Sequence, residues 1–98
     1  MALLTDAQLL RIPNLYSQEE AADPLVYLFI RIGRTFWLIT ECDSEGLAFG
    51  WCDLYGDGSC GELGYVDLSE IESIGKDYFI AIKEVEISLS DAKKVFYK

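Results

Sequence analysis

Apolar positions along this chain gather in short runs separated by turn residues, and the runs predict an antiparallel sheet. Leu25 to Ile32 (LVYLFIRI) is rich in β-branched and aromatic residues, the composition of a strand. It is apolar on both alternations, with Leu25, Tyr27 and Phe29 on one side and Val26, Leu28, Ile30 and Ile32 on the other. That pattern belongs to a strand covered on both faces. Gly33-Arg34 supplies a two-residue turn with Gly at its first central position, the type II′ arrangement. The turn pairs Ile32 with Thr35, Ile30 with Trp37 and Leu28 with Ile39. Thr35 to Cys42 is the second strand, Asp43 to Gly46 a hairpin loop, and Leu47 to Tyr55 the third strand. Pairing Cys42 with Leu47 aligns Thr40 with Phe49 and Leu38 with Trp51. Phe36, Leu38, Phe49 and Trp51 then share a face with Tyr27 and Phe29, and Trp37, Ile39, Ala48, Gly50 and Cys52 share the other with Leu28 and Ile30. A slip of one residue exchanges the faces. Both faces are too apolar to meet water, so the pattern predicts an N-terminal helix over one and a C-terminal helix or a second subunit over the other.

Helix signals flank this sheet. Thr5-Asp6-Ala7-Gln8 spells a capping box, opening a helix from Asp6 to Arg11 that presents Leu9, Leu10 and Ile12 on one side. Pro13 limits it, because the residue before a proline avoids the helical region. Asn14-Leu15-Tyr16 follows, with Leu15 and Tyr16 expected to anchor on the core, and then Ser17 to Pro24 reads as a polar surface loop that has room for a turn of helix near Gln18 to Ala22. After the loop Gly56 to Gly61, Glu62 to Val66 is a fourth strand. Ser69 with Glu72 spells a second capping box for a helical turn over 69–74, with Leu68, Ile71 and Ile74 pointing inward and Gly75 just past its end. Tyr78 to Ile82 alternates as a fifth strand, and Val85 and Ile87 resume extended structure. Ser90 to Phe96 carries the residues of a short capped helix, in competition with a frayed tail. The fold class expected is α+β: one domain over residues 1–98, with a small antiparallel sheet of four to five strands (25–32, 35–42, 47–55, 62–66, 78–82) and short helices at its margins.

Composition narrows the partners. With 98 residues, 51% of them hydrophobic, the chain builds one core and is not disordered. The net charge of −9 opposes direct nucleic-acid binding, which needs clustered Lys and Arg, and opposes docking on an anionic membrane. It suits a basic partner or a cation. The longest apolar run, Leu25 to Ile30, falls far short of the ~20 residues that span a bilayer. Met1 to Leu4 is apolar, but no basic segment precedes it, so no signal peptide is expected. Cys42, Cys52 and Cys60 make an odd count without a repeating spacing, the usage of reduced thiols in a cytoplasm.

Chemistry is sparse. The absence of histidine removes the usual general base, the Ser-His and Cys-His pairs and the commonest zinc ligand. Cys60, in a Gly-rich loop, is the most reactive thiol by position, but no Lys or Arg near it in sequence lowers its pKa. Asp53 to Gly58 imitates the start of a calcium loop and fails at its third and twelfth positions, Tyr55 and Gly64. Gly56, Gly58 and Gly61 spell GxGxxG without the βαβ unit that gives the string meaning. No cofactor and no catalytic residue is expected. The informative feature is charge layout. Between Arg34 and Lys76 stand nine acidic residues and no basic one: Glu41, Asp43, Glu45, Asp53, Asp57, Glu62, Asp67, Glu70 and Glu72. These are the candidate binding residues, an acidic surface for a basic protein. Two alternatives stand beside this reading. One is a self-associating scaffold domain, a homodimer joined through an apolar sheet face. The other is a divalent-metal enzyme using Asp53, Asp57, Glu62 and Glu41.

Ile12-Pro13-x-Leu15-Tyr16, then Trp37-x-x-Thr40-Glu41-x-Asp43, Phe49-Gly50, and Glu62-Leu63-Gly64-Tyr65-x-x-Leu68-x-Glu70-x-Glu72 resemble a small bacterial domain family of unknown function, often encoded on plasmids and other mobile elements. The resemblance covers roughly residues 10 to 74, and Glu-Leu-Gly-Tyr is its most specific part. It departs at the short Gly33-Arg34 turn and after Gly75. It implies an accessory protein of mobile DNA, carries no established activity and transfers no catalytic residue; joined to the acidic window, it suggests an inhibitor of a nucleic-acid-targeting protein.

Overall fold

In a computed structural model describing residues 3–97, the chain forms one five-stranded antiparallel sheet with three short helices. Met1 and Ala2, which open the apolar run read above for a leader, and Lys98 lie outside the described residues. The strands are β1 (Leu25–Ile32), β2 (Thr35–Cys42), β3 (Leu47–Asp53), β4 (Glu62–Asp67) and β5 (Ala81–Ser88). Their order across the sheet is β4-β3-β2-β1-β5, so β2 is central and β4 and β5 are the edges. The helices are α1 (Asp6–Arg11), α2 (Leu68–Ile74) and α3 (Leu89–Phe96). The small α+β fold expected from the sequence is the fold observed.

The first hairpin has the predicted register, Ile32 opposite Thr35, Ile30 opposite Trp37 and Leu28 opposite Ile39. Gly33 takes φ of 59°, the left-handed value that the first position of a type II′ turn needs and that Gly adopts at little cost. The second hairpin keeps Leu38 opposite Trp51 and then departs. Ile39 faces Gly50 but Glu41 faces Phe49, so Thr40 is an extra residue in β2 and Cys42 pairs with Ala48, not with Leu47. Such a bulge turns the residues beyond it to the opposite side. The Thr40 hydroxyl secures it by donating to the Phe49 carbonyl at 3.1 Å. A second irregularity lies between β1 and β5, where Val26 faces Ile87 but Leu28 faces Glu84, leaving one extra residue in β5. Val26 packs with Phe29, Phe36 and Leu38, and Tyr27 packs on the Leu28 and Ile30 side, the reverse of the strict alternation predicted.

Both faces are covered by the chain itself. On one, Leu4, Leu9 and Ile12 from the N-terminal segment and Leu68 and Ile71 from α2 pack on Leu28, Ile30, Trp37, Ile39 and Ala48. On the other, α3 lays Leu89, Ala92 and Phe96 over Val26, Phe29 and Phe36, with the Phe29 and Phe96 rings stacked at 4.1 Å between centroids. The predicted capping box is complete. The Thr5 hydroxyl accepts from the Gln8 backbone N–H while the Gln8 side chain accepts from the Thr5 N–H. α3 is a formed helix, capped by Ser88 and tethered by Asp23, whose two oxygens accept from the Ser90 N–H at 2.9 Å and its hydroxyl at 2.6 Å.

Other elements correct the sequence reading. α2 starts one residue earlier because Asp67, not Ser69, caps it, and its last apolar residue, Ile74, is exposed. Leu10 points into solvent, so α1 buries a narrower stripe than its composition offers. β3 stops at Asp53, two residues short of the expected end, and β5 runs Ala81–Ser88 in one piece. Tyr78 and Phe79, whose aromatic character marked them as strand, are exposed in the loop before β5.

Gly50 sits under the bulge, where a Cβ would run into the Leu38 carbonyl oxygen, which is backbone and cannot swing aside. Gly50→Ala should therefore cost about 1–3 kcal/mol of unfolding free energy or more, measured by urea denaturation. An unchanged midpoint would contradict the strand spacing described.

Candidate functional site

Nine carboxylates stand between Arg34 and Lys76, and the fold sorts them into two kinds. Asp53 and Glu41 are turned inward. Asp53 ends β3 with no accessible surface. Its Oδ1 accepts the backbone N–H groups of Tyr55 and Gly56 at 3.0 and 2.9 Å, and its Oδ2 accepts the Gly58 N–H at 2.8 Å and the Tyr97 hydroxyl at 2.6 Å. The Tyr97 oxygen in turn accepts the Trp51 indole N–H at 2.7 Å. Four donors satisfy the carboxylate and shape the loop after β3 around it. The Asp-and-Gly spacing that imitated a calcium loop is an anion-centred turn, filled by the chain's own amides. Burial alone pushes the Asp53 carboxyl up, but the bonds from Tyr97, Gly58, Gly56 and Tyr55 outweigh it and hold it below the ordinary carboxylate range. Burial and the bond to Asp53 push the Tyr97 hydroxyl up to about 12.

Glu41 is 4% exposed. Strict alternation from Ile39 aims it at the Trp37 face, but the bulge at Thr40 swings it to the side of Phe49 and Tyr65. There its Oε1 accepts the Tyr16 N–H at 2.9 Å and its Oε2 the Gln18 N–H at 2.7 Å. Gln18 extends the clamp, donating to the carbonyls of Leu25 and Thr40 and accepting the Leu25 N–H. Tyr16 itself is held at φ of 70°, unusual for a residue with a Cβ, and its ring stands in solvent instead of anchoring the core as predicted. Between this loop and the β3–β4 hairpin lies a cleft of about 260 Å³, lined by Tyr16, Glu19, Glu41, Phe49, Leu63 and Tyr65. The Tyr65 hydroxyl donates to that of Tyr16 at 3.4 Å, and the Phe49 ring meets the Tyr65 ring edge-on. Sequence reasoning missed this cleft. Tyr16, Glu41 and Tyr65 come from three separate segments, and the bulge at Thr40 turns Glu41 to the cleft side.

The other seven carboxylates are exposed or half-exposed. Asp57 stands in the loop before β4, Glu62 at the start of β4, and Asp67, Glu70 and Glu72 at its end and along α2. Asp43 and Glu45 sit on the β2–β3 turn, which joins the same end because the Leu68 N–H donates to the Gly46 carbonyl at 2.9 Å. Asp43, Asp57 and Asp67 each spend one oxygen on a local turn or cap. Among the described residues none of the nine forms an ion pair, whereas Glu84, Glu86 and Asp91, elsewhere, each do. The remaining eight acidic residues of the chain equal its eight Lys and Arg in number, so the whole net charge of −9 belongs to this window. The window spans β2, β3 and β4, on one half of the sheet, and α2, which leads from β4 towards β5 at the other edge.

The set proposed above for a metal enzyme is not assembled. Asp53 and Glu41 lie at opposite ends of the β2–β3 ladder, and among the described residues no three Asp, Glu or Cys side chains converge as a metal site. Cys42, Cys52 and Cys60 are unpaired. Burial raises Cys42 to about 11 and raises Cys52 as well, so neither is an activated thiol. Over β1 and β2 both sheet faces are covered by the chain itself. Among the described residues no helix is long and apolar enough to cross a membrane.

The chain matches, over residues 3–93, the family described as a protein of unknown function, DUF2958, and belongs to it. No curated protein and no solved structure matches it.

The Tyr97–Asp53 bond has a pH signature of known sign. Asp53, depressed in the folded state, stabilises above its unfolded pKa of ~3.9 and loses that contribution as pH falls through the folded value. Tyr97, raised to about 12, stabilises below ~10 and loses its contribution as pH climbs from there to the folded value. Tyr97→Phe should cost about 1–3 kcal/mol by urea unfolding at neutral pH and flatten the alkaline loss. Wild-type stability together with an unchanged alkaline limb would show that the bond contributes nothing.

Proposed function

We propose that this protein is a non-enzymatic binding module whose acidic β3–β4–α2 edge docks on the basic surface of another protein. The observation that carries the reading is charge segregation. The whole net charge of −9 belongs to one sequence window, seven of its nine carboxylates are exposed or half-exposed, and the rest of the chain is neutral in sum. Seven of its carboxylates project from loops, strand ends and α2, without ion-pair partners among the described residues. An array of this kind keeps its charge available, steers a cationic partner in and rejects anionic ones. Carboxylates spaced along an edge occupy positions like those of phosphates. The basic surface that fits them best is the nucleic-acid groove of a DNA-targeting protein, which the module would inhibit by occupying it. Such a role suits an accessory protein carried on a bacterial plasmid or other mobile element, working in the reducing cytoplasm that three unpaired thiols favour.

The test is a pull-down from bacterial lysate on the immobilised protein, eluted with rising salt and compared with a charge-reversed Glu45→Lys, Glu62→Lys, Glu70→Lys variant. The wild type should retain basic proteins that salt releases, because contacts between exposed charges are screened within a Debye length of ~10 Å at 0.1 M salt. The variant should lose them, while reversal of Glu84 and Glu86 on β5 should leave them bound. Retention that ignores both salt and the rim substitutions would overturn the reading.

A further inference from the structure

The two edges of the sheet are built differently. β5 carries a bulge against β1 and exposes Lys83, Glu84 and Glu86. Arg11 lies across it, donating to the Val85 carbonyl at 2.9 Å and the Tyr27 carbonyl at 3.4 Å while pairing with Glu84 and Glu86. Bulges and charges of this kind are how sheets keep foreign strands away. β4 has no bulge, and its only charges are the carboxylates at its two ends. Its six residues pair with β3 in unbroken register from Cys52 opposite Glu62 to Leu47 opposite Asp67, and its middle is Leu63-Gly64-Tyr65-Val66. Its outer edge, about 20 Å long, therefore offers a flat row of backbone donors and acceptors with no Lys, Pro or bulge to protect it.

The geometry points to β4 as a docking edge for an extended, basic segment of a partner protein, added as a sixth strand with one cationic side chain lying over Tyr65 beside Tyr16. This rests on the reading of the acidic rim as the contact surface. Leu63 and Tyr65, 48% and 56% exposed, point to the same side and form one wall of the 260 Å³ cleft, so every second residue of an added strand would lie beside its mouth. The cleft suits a cation, since Tyr rings attract ammonium and guanidinium groups and Glu19 stands in the lining. The Tyr65 hydroxyl is raised above its ordinary value by its bond to Tyr16 and by burial, with Glu19 and Glu41 adding their negative charge. Both ends of β4 are acidic. Antiparallel pairing of two copies about the middle of β4 sets Glu62 against Asp67 of the other copy, and like charges directly opposed are unfavourable. A strand with Arg or Lys at those positions turns the same geometry to advantage.

Two synthetic peptides of equal length and charge test this, one alternating Arg and Val, the other Arg and Pro, titrated into the full chain by calorimetry at low salt and followed by amide hydrogen exchange. The Arg-Val peptide should bind roughly tenfold tighter or more, because proline cannot donate to the ladder. It should slow exchange of the β4 amides that point away from β3, and Tyr65→Ala should weaken it several-fold. Equal binding without β4 protection would overturn strand addition and leave the acidic rim intact. Binding of neither peptide would remove the rim reading itself. β4 protection that grows with protein concentration alone would give the edge to a second copy and overturn the proposal. Arg-Val binding that ignores Tyr65→Ala would overturn the placement of the cation.

Discussion

A sheet apolar on both faces must be kept from water on both, and these 98 residues cover it with short segments. That constraint organises the molecule. The central strand β2 is buried from Phe36 to Cys42, so each flanking segment becomes a cover. Short covers supply little apolar area, and helices of six to eight residues are not stable alone. They are pinned instead by polar groups whose geometry is specific. Glu41 holds the loop after α1, Asp53 and Tyr97 join the β3–β4 loop to the end of α3, and Asp23 holds the start of α3. Removing one partner of such a bond leaves a buried polar group unpaired, which costs more than the bond contributes net.

The acidic residues consequently divide by work. Two of the nine in the window are internal fasteners, buried and fully occupied, and their charge is answered by backbone N–H groups. The others have no comparable internal duty. Asp43, Asp57 and Asp67 shape turns and a cap with one oxygen each. Glu45, Glu62, Glu70 and Glu72 are exposed or half-exposed. The segregation of charge is plain in the sequence, and the binding role proposed above draws on the exposed members of the window.

How much of this was legible in the sequence depends on the range of the interaction. Local signals read well: the Thr5 capping box, the Gly33 turn and the register it imposes on β1 and β2 are set by neighbouring residues. Thr40 was not legible as a bulge. Ile39-Thr40-Glu41-Cys42 alternates acceptably in either geometry, and the choice is made by the N–H groups of Tyr16 and Gln18, more than twenty residues away in sequence. Asp53 was misread for a related reason. An Asp followed by Gly-Asp-Gly is as suited to binding its own amides as to binding a cation, and only the position of Tyr97 decides. The aromatic content of Tyr78 and Phe79 argued for strand, but β5 begins at Ala81, the residue opposite Arg31, and both rings remain outside. The cleft at Tyr16 and Tyr65 inherits all of these long-range choices, which is why no motif announced it.

The central claim is that the β3–β4–α2 side is the working face. Chemical-shift mapping of backbone amides during titration with a polyarginine chain tests it most directly, since it reports position without assuming a partner. The account predicts perturbations confined to Asp43–Leu47, Asp57–Glu72 and the Tyr16 loop, disappearing at high salt. Perturbations spread evenly over the surface, or centred on β5 and α3, would contradict it.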